Sequence, residues 1–192
     1  MSKVYSIAIY PDISIMKKVK AMKDELASFT GWFGSRNSKA HVTICECNAV
    51  GERELLGIKS LLQKLCATES ALNLTFDHIG IYENKVNGVV CLLPNKESEN
   101  MLKPLMKRIR KSMKVKLVPG SSNPHITIGR KLNNEQLSLA RELFINTEVS
   151  LNFICDRIVL RVREDQTQFA VIDEFVFQGK PLMPIDEQLS MF

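Results

Sequence analysis

Two of the three histidines begin nearly identical tetrapeptides, His-Val-Thr-Ile at residues 41–44 and His-Ile-Thr-Ile at residues 125–128. In a β-strand, residues two apart point to the same face, so each histidine shares a face with the threonine of its own tetrapeptide. An imidazole accepts or donates a proton near neutral pH, and a threonine hydroxyl donates to phosphate oxygens. The two tetrapeptides therefore predict paired acid–base groups beside paired anion-binding hydroxyls.

This set of groups suits phosphodiester cleavage without a metal. One neutral histidine accepts a proton while a second, charged histidine donates one to the leaving oxygen. We expect His41 and His125 to share these roles, and the sequence does not say which residue has which role. Thr43 and Thr127 are expected to bind phosphate. In the structural alternative, each histidine only satisfies a backbone group at a strand edge and each threonine is present for its β-propensity.

The pattern of apolar residues places both tetrapeptides at equivalent points of a repeated series of elements. The first series consists of a strand at 4–9, a helix at 13–29, a strand from His41, a helix at 52–66 and strands at 72–76 and 79–82. The second consists of a strand at 89–93, a helix at 101–113, a strand from His125, a helix at 135–144 and strands at 151–162 and 169–177. The tetrapeptides lie 84 residues apart, which fits one repeat length.

We therefore predict an α+β fold in which duplicated β-α-β-α-β units form two pseudo-symmetric lobes, with antiparallel-rich sheets around a central cleft. Residues 1–178 form one two-lobed domain, with the repeat falling at roughly 1–83 and 84–178. Residues 179–192 form a C-terminal tail.

The composition of the chain is that of an ordinary globular protein. The 192 residues are 45% hydrophobic and 24% charged, with a net charge of +5 that favours an anionic ligand. No apolar run approaches the length of a membrane span, and the N-terminus lacks the pattern of a signal peptide. The five cysteines are interpreted as reduced, buried thiols. We expect a cytoplasmic monomer that binds no membrane.

The motifs and the repeated order resemble the 2H phosphoesterase superfamily, particularly its 2′-5′ RNA ligase-like and cyclic phosphodiesterase branches. The segment Pro124-His-Ile-Thr-Ile-Gly-Arg130 is especially similar to the second motif of that family. The resemblance implies a bilobal hydrolase with a water-filled cleft, no cofactor and no obligatory metal. It implies cleavage of 2′,3′-cyclic phosphates or 2′-5′ linkages in RNA or nucleotides, as in RNA processing. By the same resemblance, His41 and His125 are the acid and base, and Thr43 and Thr127 bind phosphate.

Three further residues are candidates for contacts with the substrate. Arg130, at the end of the second motif strand, is expected to bind phosphate. Trp32 and Phe33 precede the first motif and either stack on a base or close a hydrophobic loop cluster. Two alternatives to the phosphodiesterase remain open: a non-catalytic RNA- or nucleotide-binding module, and an enzyme for a cyclic phosphate on another metabolite. Ligase activity is undetermined.

Two other patterns are discounted. His41, Thr43, Cys45 and Cys47 are expected on one strand face, but successive ligands on a straight strand splay too far apart to hold zinc. The basic segment 103–116 has apolar residues at helical spacing, which favours a solvated helix face over an RNA contact.

Overall fold

The computed structural model describes residues 3–83, 86–164 and 168–181, so residues 182–192 of the predicted tail lie outside the described part. The described residues form four helices: α1 (Ile13–Thr30), α2 (Gly51–Thr68), α3 (Lys96–Ser112) and α4 (Asn134–Phe144). They also form nine strands: β1 (Val4–Ile9), β2 (Val42–Asn48), β3 (Leu72–Glu83), β4 (Gly88–Pro94), β5 (Leu117–Val118), β6 (Ile126–Leu132), β7 (Leu151–Cys155), β8 (Arg157–Arg163) and β9 (Ala170–Val176).

The strands pair antiparallel in the order β7-β3-β4-β6-β2-β1-β8-β9, with the short β5 paired to β2. The two motif strands, β2 and β6, meet at the centre of this order through one residue pair, Val42 with Ile126. We call β1, β2, β8 and β9 the first lobe and β3, β4, β6 and β7 the second lobe. The lobes exchange strands relative to the repeats at roughly 1–83 and 84–178, because β3 pairs with β4 and β7, and β8 pairs with β1 and β9. The mixed fold with antiparallel sheets, predicted from the sequence, is confirmed.

Polar side chains cap the starts of three helices. The Asp12 carboxylate accepts a hydrogen bond from the amide of Ile15 and opens α1, and Asn133 forms a capping box with Gln136 at α4. Helix α3 starts at Lys96, after an Asn95 cap, so the prediction that it begins at Met101 was wrong. That prediction followed the apolar residues, whereas the first turn of α3 is polar and is fixed by its cap.

The helices connect the two halves of the chain. Helix α1 packs on β6 of the second lobe, and α3 packs on β2 of the first lobe as well as on β3. The apolar side of α3 is buried, as the spacing predicted, through Leu102, Leu105, Met106 and Ile109. All five cysteines are free and buried. Within the described ranges, no helix is long and apolar enough to cross a membrane.

Candidate active site

The two tetrapeptides lie side by side on adjacent strands and show the same pattern of burial. In each one the histidine and the threonine are half-buried, and the two aliphatic residues are buried in the core. The antiparallel pair Val42–Ile126 sets the register between the strands. Continued by one residue in each direction, this register places His41 opposite Thr127 and Thr43 opposite His125. The structure therefore brings the four predicted motif residues together on one face.

Both imidazoles are held in the same way. Nδ1 of His41 lies 2.7 Å from the carbonyl oxygen of Lys39, and Nδ1 of His125 lies 2.9 Å from that of Asn123. A carbonyl oxygen only accepts, so Nδ1 of each ring is the donor and carries the hydrogen. In the neutral tautomer this leaves the lone pair on Nε2. Each ring thus has one nitrogen fixed to its own loop and the other available for proton transfer.

Each motif strand contains a β-bulge at the fourth residue of its tetrapeptide. In β2, Thr43 pairs with Ala8 and Cys45 pairs with Ile7, so Ile44 is the extra residue. In β6, Thr127 pairs with Cys91 and Gly129 pairs with Val90, so Ile128 is the extra residue. A bulge shifts the alternation of side chains by one position. The third residue after each threonine therefore lies on the same face of the sheet as the histidine and the threonine.

This shift has consequences for two predictions. It places Arg130 on the same face as His125 and Thr127, where the arginine is exposed. It also turns Cys45 and Cys47 into the core, so the expectation that they share a face with His41 and Thr43 was wrong. No group of three or more His, Cys, Asp or Glu side chains among the described residues is arranged to hold a metal ion.

Lys23 of α1 holds the loop before His41. Its side chain is 1% exposed, and Nζ donates to the carbonyl oxygens of Ser35 and Ser38 at 3.1 and 2.9 Å and to Oγ of Ser38 at 3.0 Å. Burial lowers the pKa of Lys23 to about 8, and the charge of Arg130 adds to this effect. Ser35 in turn docks the loop on β6: its hydroxyl donates to the carbonyl of Ile128 and accepts from the amide of Arg130, each at 3.0 Å.

Arg110 of α3 performs the equivalent task at the second motif. Nη1 donates at 2.9 Å to the carbonyl of Ser121, in the loop before His125, and at 3.2 Å to the carbonyl of Ile44. The bulge residues Ile44 and Ile128 thus both have their carbonyl oxygens satisfied by a side chain from elsewhere in the chain. Bulges leave such groups outside the regular ladder, so these contacts maintain the shape of the site.

The surroundings of His41 favour its neutral form. The Tyr10 ring lies edge-on to the imidazole, with ring centroids 6.2 Å apart. Burial lowers the pKa of His41 to about 3, and the positive charges of Arg161 and Lys23 act in the same direction. The hydrogen bond to Lys39 opposes this shift only in part. At neutral pH, the imidazole of His41 is therefore uncharged.

The two aromatic candidates have different environments. Phe33 is 2% exposed and belongs to the hydrophobic core, so its ring is not open to a base and the loop-cluster alternative applies to it. Trp32 is 71% exposed, and its carbonyl oxygen accepts from Nε2 of Gln136 at 3.3 Å. Trp32 is the member of this pair that can still stack on a ligand.

Three residues that shape the site were not predicted from the sequence: Lys23, Arg110 and Arg161. Lys23 and Arg110 lie among other basic residues on helices whose charges predict a solvated face. Of these three residues, Arg161 is the one that the sequence could have revealed. It interrupts an apolar run in β8, where a charge at a core-like position is uncommon.

Comparisons with known protein families and solved structures place this fold and its two motifs among known proteins. A model of the 2′-5′ RNA ligase superfamily matches residues 11–167. No curated protein sequence matches the chain significantly. The Escherichia coli LigT structure complexed with 3′-AMP is 11% identical, with a TM-score of 0.64 over 92% of this chain and 99% of that chain. TT0787 of Thermus thermophilus is 15% identical, with a TM-score of 0.64 over 94% of this chain and 100% of that chain.

Kluyveromyces marxianus Usb1 is 13% identical, with a TM-score of 0.57 over 91% of this chain and 97% of that chain. At such identities these likenesses show a shared fold. The family model covers most of the chain and includes both histidine–threonine motifs. The chain belongs to the 2′-5′ RNA ligase superfamily, a group of 2H phosphoesterases.

Proposed function

We propose that this protein is a metal-independent phosphodiesterase that hydrolyses 2′,3′-cyclic phosphate or 2′-5′ phosphodiester bonds of RNA-derived substrates. The observation that carries the proposal is the convergence of two matched motifs, each with its imidazole Nδ1 fixed to a loop carbonyl and its threonine on the same face. Structures of LigT with 3′-AMP and with ATP support a nucleotide as the ligand class.

The four motif residues have complementary tasks in this proposal. The hydroxyls of Thr43 and Thr127 donate to non-bridging oxygens of the phosphate. Arg130, on the same face, adds a positive charge toward those oxygens. Because the hydroxyls and imidazoles are positioned before the substrate binds, little reorganisation is needed as charge develops in the transition state.

The environment of His41 supports one distribution of the two proton transfers. His41 is the general base, because burial and the charge of Arg161 keep its imidazole neutral. Nε2 of His41 takes a proton from water as the water oxygen forms a bond to phosphorus. The bond from phosphorus to the 2′ or 3′ oxygen breaks, and His125 donates a proton to that oxygen. The product is a phosphate monoester with a free hydroxyl, and each histidine ends in the other's starting protonation state.

This assignment predicts an unusual pH dependence. Because the pKa of His41 is lowered to about 3, the acid side of the kcat/KM profile should stay flat to about pH 5. An ordinary imidazole base would instead lose activity below its usual pKa of about 6.5. In an Arg161→Met protein the acid limb should move to higher pH, because a charge that disfavours imidazolium is gone.

Arg157→Met is the matched control for this profile. Arg157 lies on the same strand but is exposed and paired with Asp156 and Glu174. Its replacement should leave the profile unchanged. An acid limb near pH 6.5 in the unmodified protein would show that His41 is not the neutral base.

The proposed activity is tested with a panel of substrates. Nucleoside 2′,3′-cyclic phosphates, an oligonucleotide ending in a 2′,3′-cyclic phosphate and a 2′-5′-linked dinucleotide would be incubated with the protein, and products resolved by chromatography. We expect a single phosphate regioisomer, since fixed acid and base groups protonate one leaving oxygen. Salt-sensitive RNA binding without any product would instead favour a non-catalytic binding module.

A further inference from the structure

The first lobe carries a column of stacked aromatic and cationic groups beside the site. The guanidinium carbon of Arg161 lies 5.6 Å from the Tyr10 ring centroid and 5.0 Å from that of Phe169. The guanidinium carbon of Arg163 lies 4.9 Å from the same Phe169 ring. Tyr10 in turn contacts His41 edge-on. The column therefore runs from the first motif's imidazole outward along β8.

Among the described residues, the two arginines of this column have no anionic partner. Nη2 of Arg161 donates to Oγ of Ser6 at 2.6 Å, and Nη1 lies 3.5 Å from the Tyr10 hydroxyl. Nε of Arg161 and Nε of Arg163 are buried, and neither has a hydrogen-bond partner in the described part of the chain. Over residues 3–83, 86–164 and 168–181, no ion pair joins either arginine to a carboxylate.

This arrangement is costly unless an anion completes it. Arg161 is 2% exposed, and burying a guanidinium without a counter-charge is strongly unfavourable. The two aromatic faces recover only part of that cost. Within the described part of the chain, the acidic side chain nearest in register is Glu46, opposite Ser6 on β2, and no ion pair joins it to Arg161. Since no carboxylate of the described residues supplies this counter-charge, we expect it from a ligand.

The second lobe differs at the corresponding position. In the first lobe, Arg161 of β8 pairs with Ser6 of β1, the strand next to the motif strand β2. In the second lobe, Tyr82 of β3 pairs with Val89 of β4, the strand next to the motif strand β6. Tyr82 is 54% exposed, and a Cβ added at Gly80 would lie 2.8 Å from its Cε2, so the ring covers that glycine. Tyr82 and Arg130 line a cavity of about 250 Å³. The position held by the buried Arg161 in the first lobe is thus held by an exposed aromatic ring in the second, so the two sides of the cleft are not equivalent.

The position of the arginines separates them from the scissile phosphate. Arg161 reaches back over β1 through Ser6, whereas Arg163 pairs with Val4, four residues along β1 from Ala8, the partner of Thr43. The backbone of Arg163 therefore lies about 10 Å across the sheet and about 13 Å along it from that of Thr43. The oxygens of one phosphate held by Thr43 and Thr127 do not span that distance. A second phosphate, joined to the first through a nucleoside, does.

We propose that Arg161 and Arg163 form a subsite for a second phosphate group of the substrate, one nucleoside away from the bond that is cleaved. The inference rests on the proposed function and narrows its substrate class. The preferred substrates are oligonucleotides, or nucleotides that carry a further phosphate, rather than nucleoside cyclic monophosphates.

The test compares adenosine 2′,3′-cyclic phosphate with the same compound bearing a 5′-phosphate. The unmodified protein should show a kcat/KM about 10- to 100-fold higher for the compound with two phosphates, the range expected from hydrogen bonds to a charged group. Arg163→Gln should remove most of this preference while leaving hydrolysis of the monophosphate unchanged. Arg157→Gln, at an exposed and ion-paired position of the same strand, should keep the full preference.

Failure of the subsite and failure of the proposed function give different results. Equal kcat/KM for both compounds, or an undiminished preference in Arg163→Gln, would overturn the subsite while the phosphodiesterase stands. If neither compound is hydrolysed, the proposed function fails and calorimetry decides the subsite. Adenosine 3′,5′-bisphosphate should then bind at least about 10-fold more tightly than adenosine 3′-monophosphate, and Arg163→Gln should abolish the difference. Equal affinities would overturn the subsite in that case too.

Discussion

A protein carrying His125→Asn is expected to lose about 10³-fold in turnover while keeping its fold. General acid catalysis by a positioned side chain contributes about 10²- to 10⁴-fold, and asparagine has no group that can supply the proton. The asparagine amide can still donate to the carbonyl of Asn123, which accepts from Nδ1 of His125 in the native protein. Because His125 is only half-buried, the thermal midpoint of unfolding should change little.

His78→Asn is the matched control. His78 is exposed, lies outside both motifs, and has its Nδ1 2.6 Å from the carboxylate of Asp77. Turnover by this variant should equal that of the unmodified protein. The two-histidine mechanism would be wrong if His125→Asn retained full turnover or if His78→Asn lost as much.

Lys23→Met is expected to destabilise the protein by about 2 kcal/mol and to reduce turnover as well. Methionine fills similar space but cannot donate, so the carbonyls of Ser35 and Ser38 lose a buried partner at about 1–3 kcal/mol each. The lowered pKa of Lys23 shows that burying its charge has a cost, and removing that cost offsets part of the loss. A loss of this size lowers the midpoint of thermal unfolding by roughly 4–8 °C.

Turnover should fall because Lys23 anchors the loop that precedes His41. The loop that it anchors ends at Lys39, whose carbonyl fixes the imidazole of His41. Lys20→Met, at an exposed position of the same helix where the lysine pairs with Asp24, should leave both thermal unfolding and turnover nearly unchanged. A Lys23→Met protein as stable and active as the Lys20→Met protein would show that the loop is positioned by other contacts.

The sequence was sufficient to predict the fold class and the meeting of the two motifs. Alternation of apolar residues identified the motif strands, and helical spacing identified α1, α2 and α4 within a few residues. Both signals come from the spacing of apolar residues, which is read directly from the sequence and reflects which face of an element is buried. The start of α3 was missed because its cap, Asn95, and its polar first turn precede the apolar residues.

The β-bulges could not be predicted in this way. An extra residue at Ile44 or Ile128 has no side-chain signature, because an isoleucine is equally suited to a regular strand. Yet the bulges decide that Arg130 faces the site and that Cys45 faces the core. The contacts of Lys23 and Arg110 could not be predicted from the sequence either, because they depend on which helix packs against which lobe.

Hydrolysis of an oligonucleotide ending in a 2′,3′-cyclic phosphate, measured in excess EDTA, tests the central claim most directly. The two-histidine mechanism predicts turnover to a phosphate monoester without added metal, and loss of that turnover in both His41→Asn and His125→Asn. Turnover that requires a divalent metal, or that persists in both variants, would contradict it.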